Sequence, residues 1–89
     1  METSELLTER QKTHGRFEDN ARITQALKEI IRAENQKRLA RNQRPLLNIQ
    51  IEALELMCGK ISRILAGDPN YPDHWHDAAG YAMLFDGQK

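Results

Sequence analysis

Several features that would define a function class are scarce or absent in this sequence. It contains one cysteine, Cys58, and aromatic residues make up 6% of it. A single thiol excludes a disulfide framework within one chain and is typical of a reducing compartment. No apolar run approaches the roughly 18 residues of a membrane span, and no signal peptide opens the chain. We therefore expect a cytoplasmic protein that has no membrane partner.

An excess of charge of either sign is also missing. Lysine and arginine together number 13, as do aspartate and glutamate, so the formal net charge is zero. Such a chain has no overall field to draw it onto nucleic acid or an anionic membrane. A basic cluster over residues 32–44 lacks interleaved aromatic residues, a pattern more typical of a solvated helix end than of a phosphate-binding stripe. Nucleic acid is therefore not an expected partner.

What the sequence does contain is helical periodicity. Alternating apolar patterns are absent and β-branched residues are few, which predicts an all-α fold. The 89 residues should form one domain, a small helical bundle of about four helices. The first predicted segment, residues 1–16, is an N-terminal helix with a His-Gly loop, and the second, 17–44, is a helix with a basic end. The third, 48–66, is an amphipathic helix, and the fourth, 73–86, is the C-terminal helix.

The length of the chain also predicts self-association, because a domain this small buries a thin core by itself. Small residues on consecutive turns of the last predicted helix, Ala78, Ala79 and Ala82, would let two helices approach closely. Gly80 lies among them and costs a helix interior up to about 1 kcal/mol relative to alanine, which suggests tight packing or a nearby ligand. We expect a homo-oligomer, a dimer or larger.

The helix predicted over 48–66 is amphipathic. Gly59 and Arg63 lie on its polar face, with Lys60 at the border. Cations beside a glycine predict a positive shelf for a phosphate, and the alternative is an ion pair from Arg63 to a nearby carboxylate. The apolar residues share one broad face at 100° per residue, and they are Ile51, Leu54, Met57, Cys58, Ile61, Ile64 and Leu65.

Residues 73–77, DHWHD, raise the question of a metal site. His74 and His76 diverge by about 200° on a helix, so they cannot bind one ion together. Asp73 is better explained as the N-cap of the last helix, and Trp75 as a packing anchor. We therefore predict no metal and no cofactor at this stretch.

Asp77 is predicted to pair with a cation across the last loop. A short connection makes the two flanking helices antiparallel, which brings Asp77 towards Arg63 or Lys60. An alternative uses Asp77 with Glu52 and Glu55, since convergent carboxylates can hold Mg²⁺ for phosphate chemistry. Solvated faces of amphipathic helices explain the same acids more simply.

The stretch THGRF, residues 13–17, interrupts the first predicted helix. Gly15 permits positive φ and close backbone approach, and His14 and Arg16 flank it. A loop before a helix start can hold an anion, while a plain turn between helices is the alternative. Nucleophilic catalysis finds no support, because Cys58 lies on an apolar face and no Gly-x-Ser-x-Gly, Walker or Cys-x-x-Cys motif is present.

Three pieces in order, THGRFEDNARI, ALELMCGKISRILAG and DHWHDAAGYAML, carry a resemblance to a known family. Together they resemble a family of small helical phage and prophage proteins of unassigned function. By looser likeness the last two are similar to nucleotide-modification-associated domains and to MazG-like nucleotide pyrophosphohydrolases, although Asp73-x-x-x-Asp77 departs from the metal-binding spacing of those enzymes. The resemblance implies one constellation of site residues: His14, Gly15, Lys60, Arg63, Asp73, Asp77, Gly80 and Tyr81.

These patterns favour a non-enzymatic phage accessory protein of the host-cell cytoplasm that counters host defence. Its ligand would be a nucleotide-like or other phosphate compound, or a host protein. The alternatives are a Mg²⁺-dependent nucleotide pyrophosphohydrolase and a purely structural interaction module. The predicted ligand-binding residues are His14, Gly15, Arg16, Gly59, Lys60, Arg63, Asp77 and Tyr81.

Overall fold

The computed structural model describes residues 3–86, and that part of the chain is all-α, which confirms the predicted fold class. Helix α1 covers Thr3–His14, α2 Phe17–Ala40, α3 Asn48–Ala66 and α4 Pro72–Asp86. No strand occurs among these residues. None of the described helices is long and apolar enough to cross a membrane.

The end of α2 is earlier than the predicted boundary at residue 44. Asn42 takes a left-handed conformation with φ of 59°. Its backbone N–H donates to the Leu39 carbonyl over 3.0 Å, and the N–H of Gln43 donates to the Arg38 carbonyl over 2.8 Å. This is the Schellman pattern of helix termination, in which asparagine can replace the usual glycine. The cap therefore ends α2 before Pro45 can.

The helix starts carry few side-chain caps, and Asp73 is not the N-cap of α4. Arg16 is the N-cap of α2 and Leu47 that of α3, and neither makes a side-chain capping bond. The Leu47 N–H is instead satisfied by the side-chain carbonyl of Gln50, over 2.8 Å. Helix α4 begins at Pro72, a favoured first residue of a helix. Asp73 thus lies inside the first turn, where its charge still suits the helix dipole.

Helix α3 is the centre of the fold, because α2 and α4 both pack on it and α1 touches it near one end. Among the described residues only Ala53 and Cys58 are buried apolar side chains. Much of the apolar face predicted for this helix is exposed, including Leu54, Ile61 and Leu65. The molecule is a thin layer of 54 × 27 × 20 Å, and the side of α3 that carries these residues stays partly exposed.

Tight packing at Gly80 is not found among residues 3–86. A methyl group added at Gly80 would meet no atom within 4 Å. Ala78 is half-buried, whereas Ala79 and Gly80 are exposed. The small residues of α4 therefore do not all form one contact face against α3.

Candidate functional site

Two glycines let two backbone segments cross in direct contact beside the candidate site. Gly15 has φ of +81°, and a side chain added there would place its Cβ 2.7 Å from the backbone of Ala66. A Cβ added at Gly67 would overlap the carbonyl oxygen of Thr13 and lie 2.7 Å from the backbone nitrogen of Gly15. We call this contact the glycine crossing. The His-Gly loop is thereby fixed against the end of α3.

The carbonyl oxygen of Thr13 joins three elements at the crossing. It accepts a hydrogen bond from the Asp68 N–H over 3.0 Å. It also lies 2.7 Å from Nε2 of His74, which is 1% exposed. Because a carbonyl can only accept, Nε2 of His74 must carry the proton. The end of α1 is thus attached both to the loop after α3 and to α4.

Three rings pack around this point. The ring centroid of His74 lies 4.8 Å from those of His14 and Tyr71, in edge-to-face geometry. Burial lowers the pKa of His14, and the nearby charges of Arg10, His74, Arg63 and Lys60 lower it further. His14 is therefore favoured in its neutral form at pH 7.

Asn20 connects the same loop to the middle of α3. Its side-chain N–H groups donate to the carbonyls of His14 over 2.7 Å and Arg16 over 3.1 Å. Its side-chain oxygen accepts a bond of 2.9 Å from the hydroxyl of Ser62, which is buried. Asn20 is therefore a connector between helices.

A groove of about 530 Å³ opens where α1, α2 and α3 meet, and we call it the interhelical groove. Two arginines line it, Arg10 and Arg63, and no aspartate or glutamate of residues 3–86 does. Neither arginine forms an ion pair within residues 3–86. The remaining lining residues are mostly uncharged and polar or small: Leu7, Gln11, His14, Gly15, Phe17, Asn20, Ala21, Thr24, Gln25, Gly59 and Ser62.

The predicted ligand-binding residues divide between this groove and other places. His14, Gly15, Gly59 and Arg63 line it. The other four do not: Arg16, Lys60, Asp77 and Tyr81. Sequence reasoning missed Arg10 and Phe17, which come from α1 and α2 and meet Gly59 and Arg63 of α3 only in the folded chain.

Arg16 and Tyr81 lie outside the groove for different reasons. Arg16 is exposed and forms an ion pair with Glu18, two residues along the chain. That pair raises the pKa of Arg16 through its hydrogen bond and charge. Tyr81 is half-buried on α4, a helix that contributes no lining residue.

The predicted partner of Asp77 is found to be Lys60 rather than Arg63. Nζ of Lys60 lies 2.9 Å from Oδ2 of Asp77, and the side chains are 12% and 43% exposed. The hydrogen bond from Lys60 lowers the pKa of Asp77. Lys60 and Asp77 lie nearly equally far from the loop between their antiparallel helices, whereas Arg63 is a turn closer to it. The position on the helices therefore selects Lys60.

The metal site, reactive thiol and basic phosphate-binding stripe considered from the sequence are not assembled in the described part of the chain. Between residues 3 and 86 no three His, Cys, Asp or Glu side chains come close enough to hold one metal ion. Cys58 is buried, and burial raises the pKa of its thiol. The basic residues of 32–44 are mostly exposed, and two of them, Lys37 and Arg41, pair with Glu34.

The fold and the groove together define a small all-α protein with an open, cation-lined groove. The family described as a domain of unknown function, DUF6378, matches residues 1–87, and the chain belongs to that family. No curated protein and no solved structure matches the chain.

Proposed function

We propose that this chain is a non-enzymatic, homo-oligomeric protein that binds a nucleotide-like or other phosphate-bearing ligand in the interhelical groove. The single observation that carries the proposal is the charge of the groove lining. Among residues 3–86, no carboxylate lines the groove that Arg10 and Arg63 face, and neither arginine has an ion-pair partner. Arginine forms paired, charge-assisted hydrogen bonds with phosphate, so two free guanidinium groups suit that ligand.

Gly59 supports the same ligand position. It lies inside α3, where glycine costs about 1 kcal/mol relative to alanine. Packing within the chain does not require it, because an added methyl group would meet no atom within 4 Å. Gly59 lines the interhelical groove. A ligand that lies against the bare helix backbone would account for this glycine.

The size of the groove and Phe17 favour a nucleotide over bare phosphate. A volume of about 530 Å³ is within the usual range of small-molecule sites. The Phe17 side chain is 81% exposed beside the groove, although most exposed positions of this chain are polar. An aromatic ring can stack on a base without selecting its identity. The arginines would then hold the phosphates and Phe17 the base.

Binding calorimetry with nucleoside triphosphates, nucleoside monophosphates and inorganic pyrophosphate tests the proposal, with and without Mg²⁺. Arg63→Gln removes one charge from the groove and should weaken binding by roughly 10- to 100-fold. Arg22→Gln is the matched control, since Arg22 lies on α2 outside the groove. Equal affinity for the two variants would mean that the groove is not the binding site.

Assays of product release in the same samples distinguish the alternatives. Turnover that requires Mg²⁺ would support the pyrophosphohydrolase, whose Glu52, Glu55 and Asp77 would then have to meet across two chains. The absence of both binding and turnover would support a structural module or a host-protein ligand. The resemblance to phage proteins extends the proposal to an accessory role in the host-cell cytoplasm, directed against host defence.

A further inference from the structure

We propose that the partly exposed apolar side of α3 is the contact surface for a second copy of this chain. Four large aliphatic residues define that surface, which we call the apolar row: Leu47, Leu54, Ile61 and Leu65. Each is between 36% and 66% exposed. The inference is independent of the groove and its ligand.

The residues of the apolar row follow one line along the helix. At 100° per residue, Leu54, Ile61 and Leu65 fall within about 40° of one another around the α3 axis, and Leu47 precedes them as the N-cap. Spacings of seven and four residues are those of a helix seam that packs on another helix. The row therefore has the form of an interhelical contact, and its residues stay partly exposed although Leu54 lies in a cleft beside Ala82 and Phe85 of α4.

The accessible surface of the chain is larger than the average for a compact monomer of its mass. It measures 6648 Å². A monomeric protein of 10.3 kDa is expected to expose roughly 5,350 Å², about 1,300 Å² less. A standard protein interface buries about 800 Å² on each partner. The excess is thus large enough to supply a stable interface between two chains.

A second copy is the occupant that the side chains suit best. Ala53 and Cys58 are the only buried apolar residues among those described, so the fold itself needs the exposed apolar surface to be covered. A twofold interface brings the same patch of each chain together and tolerates no row of like charges. The four charged residues of α3 all lie about 80° or more from the row: Glu52, Glu55, Lys60 and Arg63.

Sedimentation of the full chain at micromolar concentration tests the proposal, together with the concentration dependence of the melting temperature. We expect twice the chain mass and a melting temperature that rises with concentration, because association stabilises the folded state by mass action. A chain mass throughout the micromolar range would overturn the proposal.

Leu65→Ala locates the interface, and Leu84→Ala is its matched control. Both leucines are more than half exposed in the chain, so neither truncation removes a buried contact. Leu65→Ala should weaken the dimer by about tenfold or more, and Leu84→Ala should leave its dissociation constant within a factor of about two. Equal effects, or a larger effect of Leu84→Ala, would show that the chains associate through another face.

A charged variant provides a second comparison. Ile61→Glu should yield monomers or fail to fold, whereas Met83→Glu, on exposed α4 surface, should remain a dimer. If Ile61→Glu does not fold, the leucine pair still decides the location of the interface. A folded Ile61→Glu dimer of wild-type affinity would overturn the apolar row as the contact.

Discussion

The side chain of His14 is where the electrostatics of the candidate site can be measured most directly. Its pKa is lowered from the ordinary value of 6.5, first by burial and then by neighbouring cations. The unfolded chain therefore binds a proton at His14 at a higher pH than the folded chain does. Stability from this group is complete above pH 6.5 and is lost as the pH falls through the lowered pKa of the folded state.

His14→Gln should consequently reduce the loss of stability between pH 7 and the mildly acidic range, as followed by urea denaturation at several pH values. His76→Gln removes an exposed histidine and should keep the wild-type slope. A His14→Gln profile as steep as that of the wild type would assign the pH dependence to another group. A phosphate ligand that contacts His14 should raise its pKa, since anions favour the protonated ring.

Gly67 is the second residue whose role can be tested alone. Its added methyl group would overlap the Thr13 carbonyl, which is backbone and cannot rotate away. We expect Gly67→Ala to destabilise the fold by roughly 1–3 kcal/mol, the usual cost of overpacking. Thermal melting measures it. An unchanged melting temperature would mean that α1 does not pack against the end of α3 in solution.

Helix α3 carries a prediction in which stability and binding change in opposite directions. Gly59→Ala should raise the free energy of unfolding by about 1 kcal/mol, because alanine favours the helix and the methyl group meets no atom of the chain. The same methyl group enters the groove and should weaken binding of nucleoside triphosphate. Gly80→Ala, equally open within the chain, should stabilise α4 and leave binding unchanged.

Melting curves measure the stability of both glycine variants, and calorimetry measures their affinity for nucleoside triphosphate. A Gly59→Ala protein that is more stable and binds normally would remove the ligand explanation for Gly59. Loss of stability in Gly59→Ala would show instead that a neighbouring chain already occupies the space.

The ion pair between α3 and α4 should respond unequally to removal of its two partners. Lys60 is nearly buried and Asp77 is about half exposed. Asp77→Asn leaves the ammonium group of Lys60 unpaired with little access to water. Lys60→Met leaves the Asp77 carboxylate in contact with water and keeps the aliphatic packing of the lysine side chain. Asp77→Asn should therefore lower the free energy of unfolding more than Lys60→Met. Urea denaturation at pH 7 measures both, and the reverse order would contradict this burial.

The pH dependence of the pair has a definite sign. Lys60 lowers the pKa of Asp77 below its ordinary value of 3.8. The stability from this group is therefore complete above the ordinary value and is lost as the pH falls through the lowered pKa. The wild type and Asp77→Asn should converge in stability only in that acidic range.

At the level of helices, periodicity and turn residues were sufficient to predict the fold class and the approximate positions of the helices. The early end of α2 was not predicted, because it depends on the conformation that Asn42 adopts. The partner of Asp77 was open between two cations three residues apart, and only the position of the helices along one another decides it. Of the residues that line the groove, Gly59 and Arg63 could be placed together from the sequence because they share a helix face. Arg10 and Phe17 could not, because they lie on other helices.

Over the whole molecule, Cys58 is a natural reporter of opening. Its thiol is 2% exposed, and burial raises its pKa. Reaction with a thiol-specific disulfide reagent should therefore require unfolding, and its rate should follow the fraction of opened molecules. Fast modification under native conditions would show that α2 and α3 separate readily. Denaturant increases the fraction of opened molecules and should raise the rate of thiol modification in proportion to that fraction.

The glycine crossing also has a kinetic consequence. It joins segments about 50 residues apart, and closing such a loop in the unfolded chain would cost about 3.5 kcal/mol in chain entropy, so the crossing should form only after α2 and α3 have paired. The pairs α2–α3 and α3–α4 are each joined by a short connection and can form earlier. Helix α1 should therefore dock last and detach first, exposing one wall of the groove while α3 keeps its amides protected. Native-state hydrogen exchange would detect this as faster exchange in α1 than in α3, and Gly67→Ala should accelerate unfolding more than it slows folding.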